Sequence, residues 1–169
     1  DLSRVNRQGR PFEKVDLAEI TTEAVSDLEM QIQRTKGAVV IETLPTIEAD
    51  PVQIHQVLLN LIGNALKFHQ PEVPPLVRVS SKVLKSPGPK GDMVSIEVHD
   101  NGIGFEEEHF ERILQPFQRL HGRSEYEGTG IGLAIVNKII ERHHGQISAR
   151  SVPGEGSTFT IILPVKHGG

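Results

Sequence analysis

Residues 51 to 69 constrain the fold more than any other stretch of the chain. Wound as a helix, Val52, Ile54, Val57, Leu58, Leu59, Leu61, Ile62, Ala65, Leu66 and Phe68 make it apolar around most of its circumference, and such a helix belongs inside a core. Its limits are well marked. Asp50 can cap it, Pro51 suits the first turn, and Gln53 sits where a capping box wants an amide. The helix is expected to run to Phe68 or His69, with Pro71 closing it.

One row of this helix is polar. Gln53, Gln56, Asn60, Asn64 and Lys67 follow steps of three and four and share a face. A solvated face would account for such a row, but solvated faces usually carry Glu, Lys and Arg. This one is mostly amides, and asparagine is a poor helix former. The other account is a stripe turned toward a polar ligand. An asparagine amide oxygen suits a hard cation such as Mg²⁺, and Lys67, a turn beyond Asn64, could meet a phosphate.

The rest of the chain supplies partners for that helix. Residues 17–35 carry Leu17, Ile20, Ala24, Leu28 and Ile32 at helical spacing, and Gly37 is a stop signal. "AVVIETL" (38–44) reads as a strand. "PLVRVSSKVL" and "MVSIEVHD" alternate as strands joined by the turn-rich "KSPGPKGD". Residues 101–127 read as irregular and lid-like, with a short helix near "EEEHFERIL". Residues 131–143 read as a helix stopped at Gly145, and "GQISARSV" and "STFTIILPV" as two further strands around the turn "PGEG". Strands that are neighbours in sequence, alternating with helices, predict an α+β fold: a two-layer sandwich of a largely antiparallel or mixed sheet with helices on one face.

Bulk properties narrow the function. The 169 residues suffice for one domain with a real core. A net charge of −4 gives no broad pull toward nucleic acid or anionic membrane, and the absence of tryptophan argues against a base-stacking platform. Without cysteine there are no disulfides and no thiolate metal sites. No apolar run approaches the roughly 18 residues needed to cross a membrane. The abrupt start "DLSRVNRQGRPF" is expected of a piece of a longer chain.

Two glycine-rich stretches carry the remaining signal. In "VSIEVHDNGIGF" the strand stops at Asp100, and Gly102 and Gly104 follow. Asp-Asn-Gly is good turn chemistry. It would also fix a carboxylate, which only accepts hydrogen bonds, beside bare backbone that a flat ring can approach. Such a carboxylate suits the exocyclic amino group of adenine and repels the carbonyl of guanine. In "GTGIGLAIV", Gly128, Gly130 and Gly132 fall at alternate positions before an apolar run. The dinucleotide fingerprint fails, because the sixth position from Gly128 is Leu133 and no strand precedes it; the Gly-Lys of the P-loop is absent. A flexible hinge would explain these glycines. So would side-chain-free backbone opening a helix whose N-terminus favours anions.

"NLIGNALKF" (60–68), "DNGIGF" (100–105), "QPFQRL" (115–120), "GTGIGLAIV" (128–136) and "GEGSTF" (154–159), in that order and spacing, resemble the asparagine box, the first glycine box, the phenylalanine box and the second and third glycine boxes of the ATP-binding domain of sensor histidine kinases. "RLHGRSEYEGTGIGLAIVNKIIERHHG" is similar to the phytochrome-like and related members. The resemblance implies the Bergerat ATP-binding fold with an ATP lid over residues 12–166, the end of a dimerisation helix and linker at 1–11, and a tail at 167–169. It implies a histidine protein kinase, catalytic portion only, with ATP and Mg²⁺ as cofactors.

By the same resemblance Asn60, Asn64 and Lys67 serve catalysis, with Asn64 the Mg²⁺ ligand and Lys67 near the phosphates. The nucleotide is held by Asp100, Gly102, Ile103 and Gly104. Gly128, Gly130 and Gly132 wrap the phosphates, with Thr129, Ile131 and Leu133 between them. Phe117 anchors the lid, Arg119 or Arg123 approaches the phosphates from it, and Thr158 lies near the adenine pocket. The implied partners are the dimerisation and histidine phosphotransfer domain of the same full-length kinase and a downstream response regulator. The piece itself is expected to be monomeric and cytoplasmic, whether or not its parent is anchored in a membrane, and to bind no nucleic acid.

Hydrolysing relatives of that fold resemble one another in a glutamate four residues before the Mg²⁺ asparagine. Here that position is Asn60, and an amide is no general base at neutral pH. This favours phosphoryl transfer over a hydrolysing ATPase; a non-catalytic nucleotide-binding module is the other alternative. None of the eight histidines sits in the His-Glu/Asp context of a phosphoacceptor, so this chain alone is expected to bind ATP without phosphorylating itself.

Overall fold

A computed structural model describes residues 9–86, 88, 91–106 and 129–167, with backbone alone at 129–132. In chain order the elements are β1 (Glu13–Asp16), α1 (Leu17–Asp27), α2 (Glu29–Thr35), β2 (Ala38–Ile41), β3 (Thr46–Ala49), α3 (Pro51–Lys67), β4 (Leu76–Leu84), β5 (Met93–Asp100), α4 (Thr129–Arg142), β6 (Gln146–Val152) and β7 (Gly156–Pro164). The main sheet runs β2-β4-β5-β7-β6. Its β2–β4 pair is parallel and the other pairs are antiparallel, so the sheet is mixed as expected.

Helices α1, α3 and α4 form the second layer, on one face of the sheet. The pleat turns alternate residues inward. Val77, Val79, Val94, Ile96, Val98, Ile161 and Leu163 are buried against Ile54, Leu58, Leu61, Ile62 and Leu66 of α3. The other face carries Arg78, His99, Thr158 and Arg150 side by side across β4, β5, β7 and β6. Among the described residues no helix is long and apolar enough to cross a membrane.

Four details differ from the sequence expectation. The helix expected over 17–35 is two helices: Leu28 N–H bonds back to Val25 O, and the chain turns there before α2 begins. The stop expected at Gly37 falls one residue earlier, where Lys36 takes the left-handed conformation (φ 58°) that closes α2. The strand expected over 38–44 ends at Ile41. β1 and β3, which the sequence did not announce, pair antiparallel as a small second sheet.

α3 begins and ends close to its expected limits. Asp50 Oδ1 accepts hydrogen bonds from Val52 N (3.1 Å) and Gln53 N (3.2 Å), and Pro51 opens the first turn. The capping-box geometry suggested by Gln53 is replaced by a longer-range arrangement. The Asp50 N–H donates to His143 Nε2 (3.1 Å), while Gln53 Oε1 accepts from Arg142 (2.6 Å). Arg142 also pairs with Asp50 Oδ2 at 2.8 Å, and the backbone N–H of Arg10 donates to the same oxygen at 2.6 Å. Phe12 stacks on His143 with ring centroids 4.5 Å apart. The incoming chain is thereby fastened to the start of α3 and the end of α4.

Candidate functional site

The site begins at the inner end of β5. Val94, Ile96 and Val98 point into the core, so alternation turns Asp100 inward as well. The residue is 7% exposed. Burial pushes its pKa up from 3.8, while the N–H groups of Gly102 and Ser157 and the nearby His99 pull the other way. Gly102 N donates to Oδ1 at 2.8 Å. Among the described residues Asp100 forms no ion pair. A buried carboxylate without a cation is completed best by a neutral donor.

The loop after Asp100 interlocks with two other segments. Ile103 N donates to Phe68 O, just past α3, at 2.9 Å, and a Cβ on Gly102 would collide with that same oxygen. Gly104 has φ +71°, and a Cβ there would meet the Val152 carbonyl at the end of β6. Gly154 N, in the β6–β7 turn, donates to Ile103 O at 2.6 Å. Phe105 N donates to Ser151 Oγ at 2.8 Å, and Ser151 Oγ lies 2.9 Å from Ser157 Oγ. The C-terminal end of α3, the loop 101–104 and the β6–β7 turn are thus gathered around the Asp100 end of the sheet.

The polar row of α3 divides in two. Gln53 is buried and holds Arg142, so its role is structural. Gln56 Nε2 donates to Asn60 Oδ1 at 2.8 Å, and Gln56, Asn60 and Asn64 are half-buried. Lys67 is exposed at the helix end nearest the loop, its Nζ 5.5 Å from the Phe68 ring centroid.

Not every expected residue comes to this place. Thr158 faces away: it pairs in register with His99, its Oγ1 lies 2.6 Å from His99 Nδ1, and both stand on the outer face. Ser157, opposite Asp100 in register and buried, takes the inner position. The alternation of Phe159, Ile161 and Leu163 carried that signal, because Ser157 shares their parity. Leu133 is buried in the hydrophobic core, 2% exposed. Thr129, Gly130, Ile131 and Gly132 form the first turn of α4, as a glycine-led helix start requires. Phe117, Arg119, Arg123 and Gly128 lie outside the described residues, as does the helix expected near "EEEHFERIL". Gln70, Asn101 and Ser151, which hold the loop, were missed because their partners are distant in sequence.

This α+β sandwich, with a buried carboxylate beside a glycine loop and an amide-bearing central helix, defines an ATP-binding class. The signature of the histidine kinase-, DNA gyrase B- and HSP90-like ATPase family matches residues 49–167, and the chain belongs to that family. Phytochrome-like protein Cph1 of Synechocystis sp. is 39% identical over 96% of the chain, which covers 21% of that protein. The circadian input-output histidine kinase CikA of Synechococcus elongatus is 33% identical over 97% of the chain, covering 22% of that protein. The chain spans about a fifth of the length of these curated relatives. Among solved structures, the catalytic domain of histidine kinase ThkA superposes with a TM-score of 0.76 at 28% identity, covering 93% of this chain and 97% of that one. Full-length ShkA in complex with AMPPNP gives 0.76 at 25% identity, covering 96% of this chain and 33% of that one. Fold and sequence together are those of the catalytic, ATP-binding domain of sensor histidine kinases.

Proposed function

We propose that this domain binds Mg-ATP and presents the γ-phosphoryl group to a histidine on a dimerisation domain outside this chain, from which it passes to a response regulator. The observation that carries the reading is Asp100: a buried carboxylate with raised pKa, lacking a cationic partner among the described residues, beside a loop stripped of side chains. Asp100 accepts the exocyclic amino group of adenine, and Gly102 and Gly104 leave room for the ring. Lys67 and the first turn of α4 meet the phosphates. Ser157 rather than Thr158 completes the carboxylate's surroundings. That full-length ShkA, which shares this fold, is in complex with AMPPNP supports nucleotide binding.

The residues present fit Mg²⁺ only in company with the nucleotide. Among the described residues no group of three or more His, Cys, Asp or Glu could hold a metal. The Asn64 amide oxygen is a hard donor that would share the ion with phosphate oxygens and water. The ion would supply charge neutralisation at the phosphates. The chain's own part is positioning, which carries most of the catalysis in phosphoryl transfer. Transfer is favoured over hydrolysis by Asn60: its Oδ1 is engaged by Gln56, and an amide takes no proton from water at neutral pH.

Calorimetric titration with ATP, with and without Mg²⁺, beside Asp100→Asn tests the site. Saturable binding that prefers adenine and is lost in the variant supports the reading; equal binding by the variant overturns it. Transfer of labelled phosphate onto the separate dimerisation domain then tests the kinase step.

A further inference from the structure

Gln70 lies three residues past the end of α3 and reaches into the loop around Asp100. Its Nε2 stands 3.1 Å from Asn101 O, 3.1 Å from Gly102 O and 3.0 Å from Gly154 O. Three carbonyl oxygens around one atom fix which end of the amide faces them, because the amide oxygen would meet only lone pairs. Two of these carbonyls belong to the loop after β5 and the third to the β6–β7 turn. Asn101 fastens the same loop from its other side: its Oδ1 accepts from Leu76 N at 2.8 Å and its Nδ2 donates to Pro74 O at 3.3 Å.

One peptide group links Gln70 to the carboxylate. The Asn101 carbonyl that accepts from Gln70 shares a plane with the Gly102 N–H that donates to Asp100 Oδ1. Turning that plane breaks both bonds, and holding the carbonyl strengthens the N–H as a donor. We infer that Gln70 is a positioning residue for base recognition: through the Asn101–Gly102 peptide it sets the aim of the Asp100 carboxylate relative to α3 and the β6–β7 turn. The inference rests on the adenine role proposed for Asp100. Gln70 itself touches neither base nor phosphate in this scheme; it acts through the loop.

The test titrates this chain, as wild type, Gln70→Glu, Gln70→Ala and Asp100→Asn, with ATP and with ITP. ITP carries a carbonyl where adenine has its amino group. Gln70→Glu aims a carboxylate at three carbonyls, whereas Gln70→Ala only removes the donor. Wild type is expected to prefer ATP. Gln70→Glu should weaken ATP binding roughly ten- to thirtyfold and Gln70→Ala roughly fivefold, on the scale of one or two hydrogen bonds. Both should narrow the ATP:ITP ratio, which a general loss of stability would not do. Amide exchange at Ile103 and Gly154 should quicken in both, since their N–H bonds lock the same loop. Folded variants that keep the affinity, the ratio and the exchange rates of wild type would overturn the positioning role while Asp100→Asn still loses ATP. If wild type fails to bind ATP, or Asp100→Asn binds it equally well, the nucleotide reading falls and takes this inference with it.

Discussion

Asp50 and Asp100 each stand at the end of a strand, and each folds its carboxylate back onto the backbone ahead. Both are buried, at 0% and 7% exposure. Their surroundings separate them. Asp50 has one oxygen on the Val52 and Gln53 N–H groups and the other on Arg142 and the Arg10 N–H. Every lone pair that matters is used inside the molecule, so the residue is structural. Asp100 receives backbone N–H groups only, has no cation opposite it among the described residues, and has its pKa raised by burial. The lesson is that a buried acid's partners, more than its burial, tell whether it holds the fold together or waits for a ligand.

The largest expected effect comes from the structural acid. Asp50→Ala removes the α3 cap and leaves Arg142 with a lost partner, so urea denaturation should show a loss of about 4 kcal/mol. Asp100→Asn should do the reverse. It lifts the cost of a desolvated charge, leaving stability unchanged or raised, while ATP affinity measured by calorimetry falls about a hundredfold or more. An Asp100→Asn protein as destabilised as Asp50→Ala would erase the distinction.

His143 sharpens it further. Its Nε2 accepts from Asp50 N and its Nδ1 donates to Ile139 O at 2.8 Å, which fixes the neutral tautomer, and burial pushes its pKa from 6.5 down to about 4. The unfolded chain therefore binds a proton that the folded one refuses between those values, and stability falls as pH drops through that window. Near pH 5 the loss is about 2 kcal/mol, to be read from denaturation midpoints, and His143→Gln should flatten the slope. The smallest effect belongs to Asp16, an exposed cap that accepts only from the first turn of its own helix, from Ala18 N at 3.0 Å and Glu19 N at 3.4 Å. Asp16→Ala should cost about 1 kcal/mol and leave nucleotide binding untouched.

What the sequence revealed depended on how local the cause was. α3 was legible because its cap, its proline and its apolar girth are contiguous, and β4, β5, β6 and β7 because alternation is contiguous too. β1 and β3 have four residues each and bury little beyond Val15, Ile47 and Ala49, so no period could form. The Asp50–Arg142 pair joins positions 92 residues apart, and nothing near either residue announces the other. Within the site, Asp100 and the glycines could be read from their motif. Gln70 could not, because its three acceptors come from segments that only the folded sheet brings together. Thr158, expected near the pocket, stands on the outer face, and Ser157, which shares the parity of Phe159, Ile161 and Leu163, stands opposite Asp100.

The collision that any Cβ at Gly102 or Gly104 would suffer is with a carbonyl oxygen of another segment, at Phe68 and Val152. A side chain that blocks a substitution can itself be trimmed by a second mutation; a peptide oxygen cannot. Neither position therefore has an available suppressor among its neighbours. In a saturation library these two sites should be empty of survivors, and should stay empty however many other residues are allowed to vary.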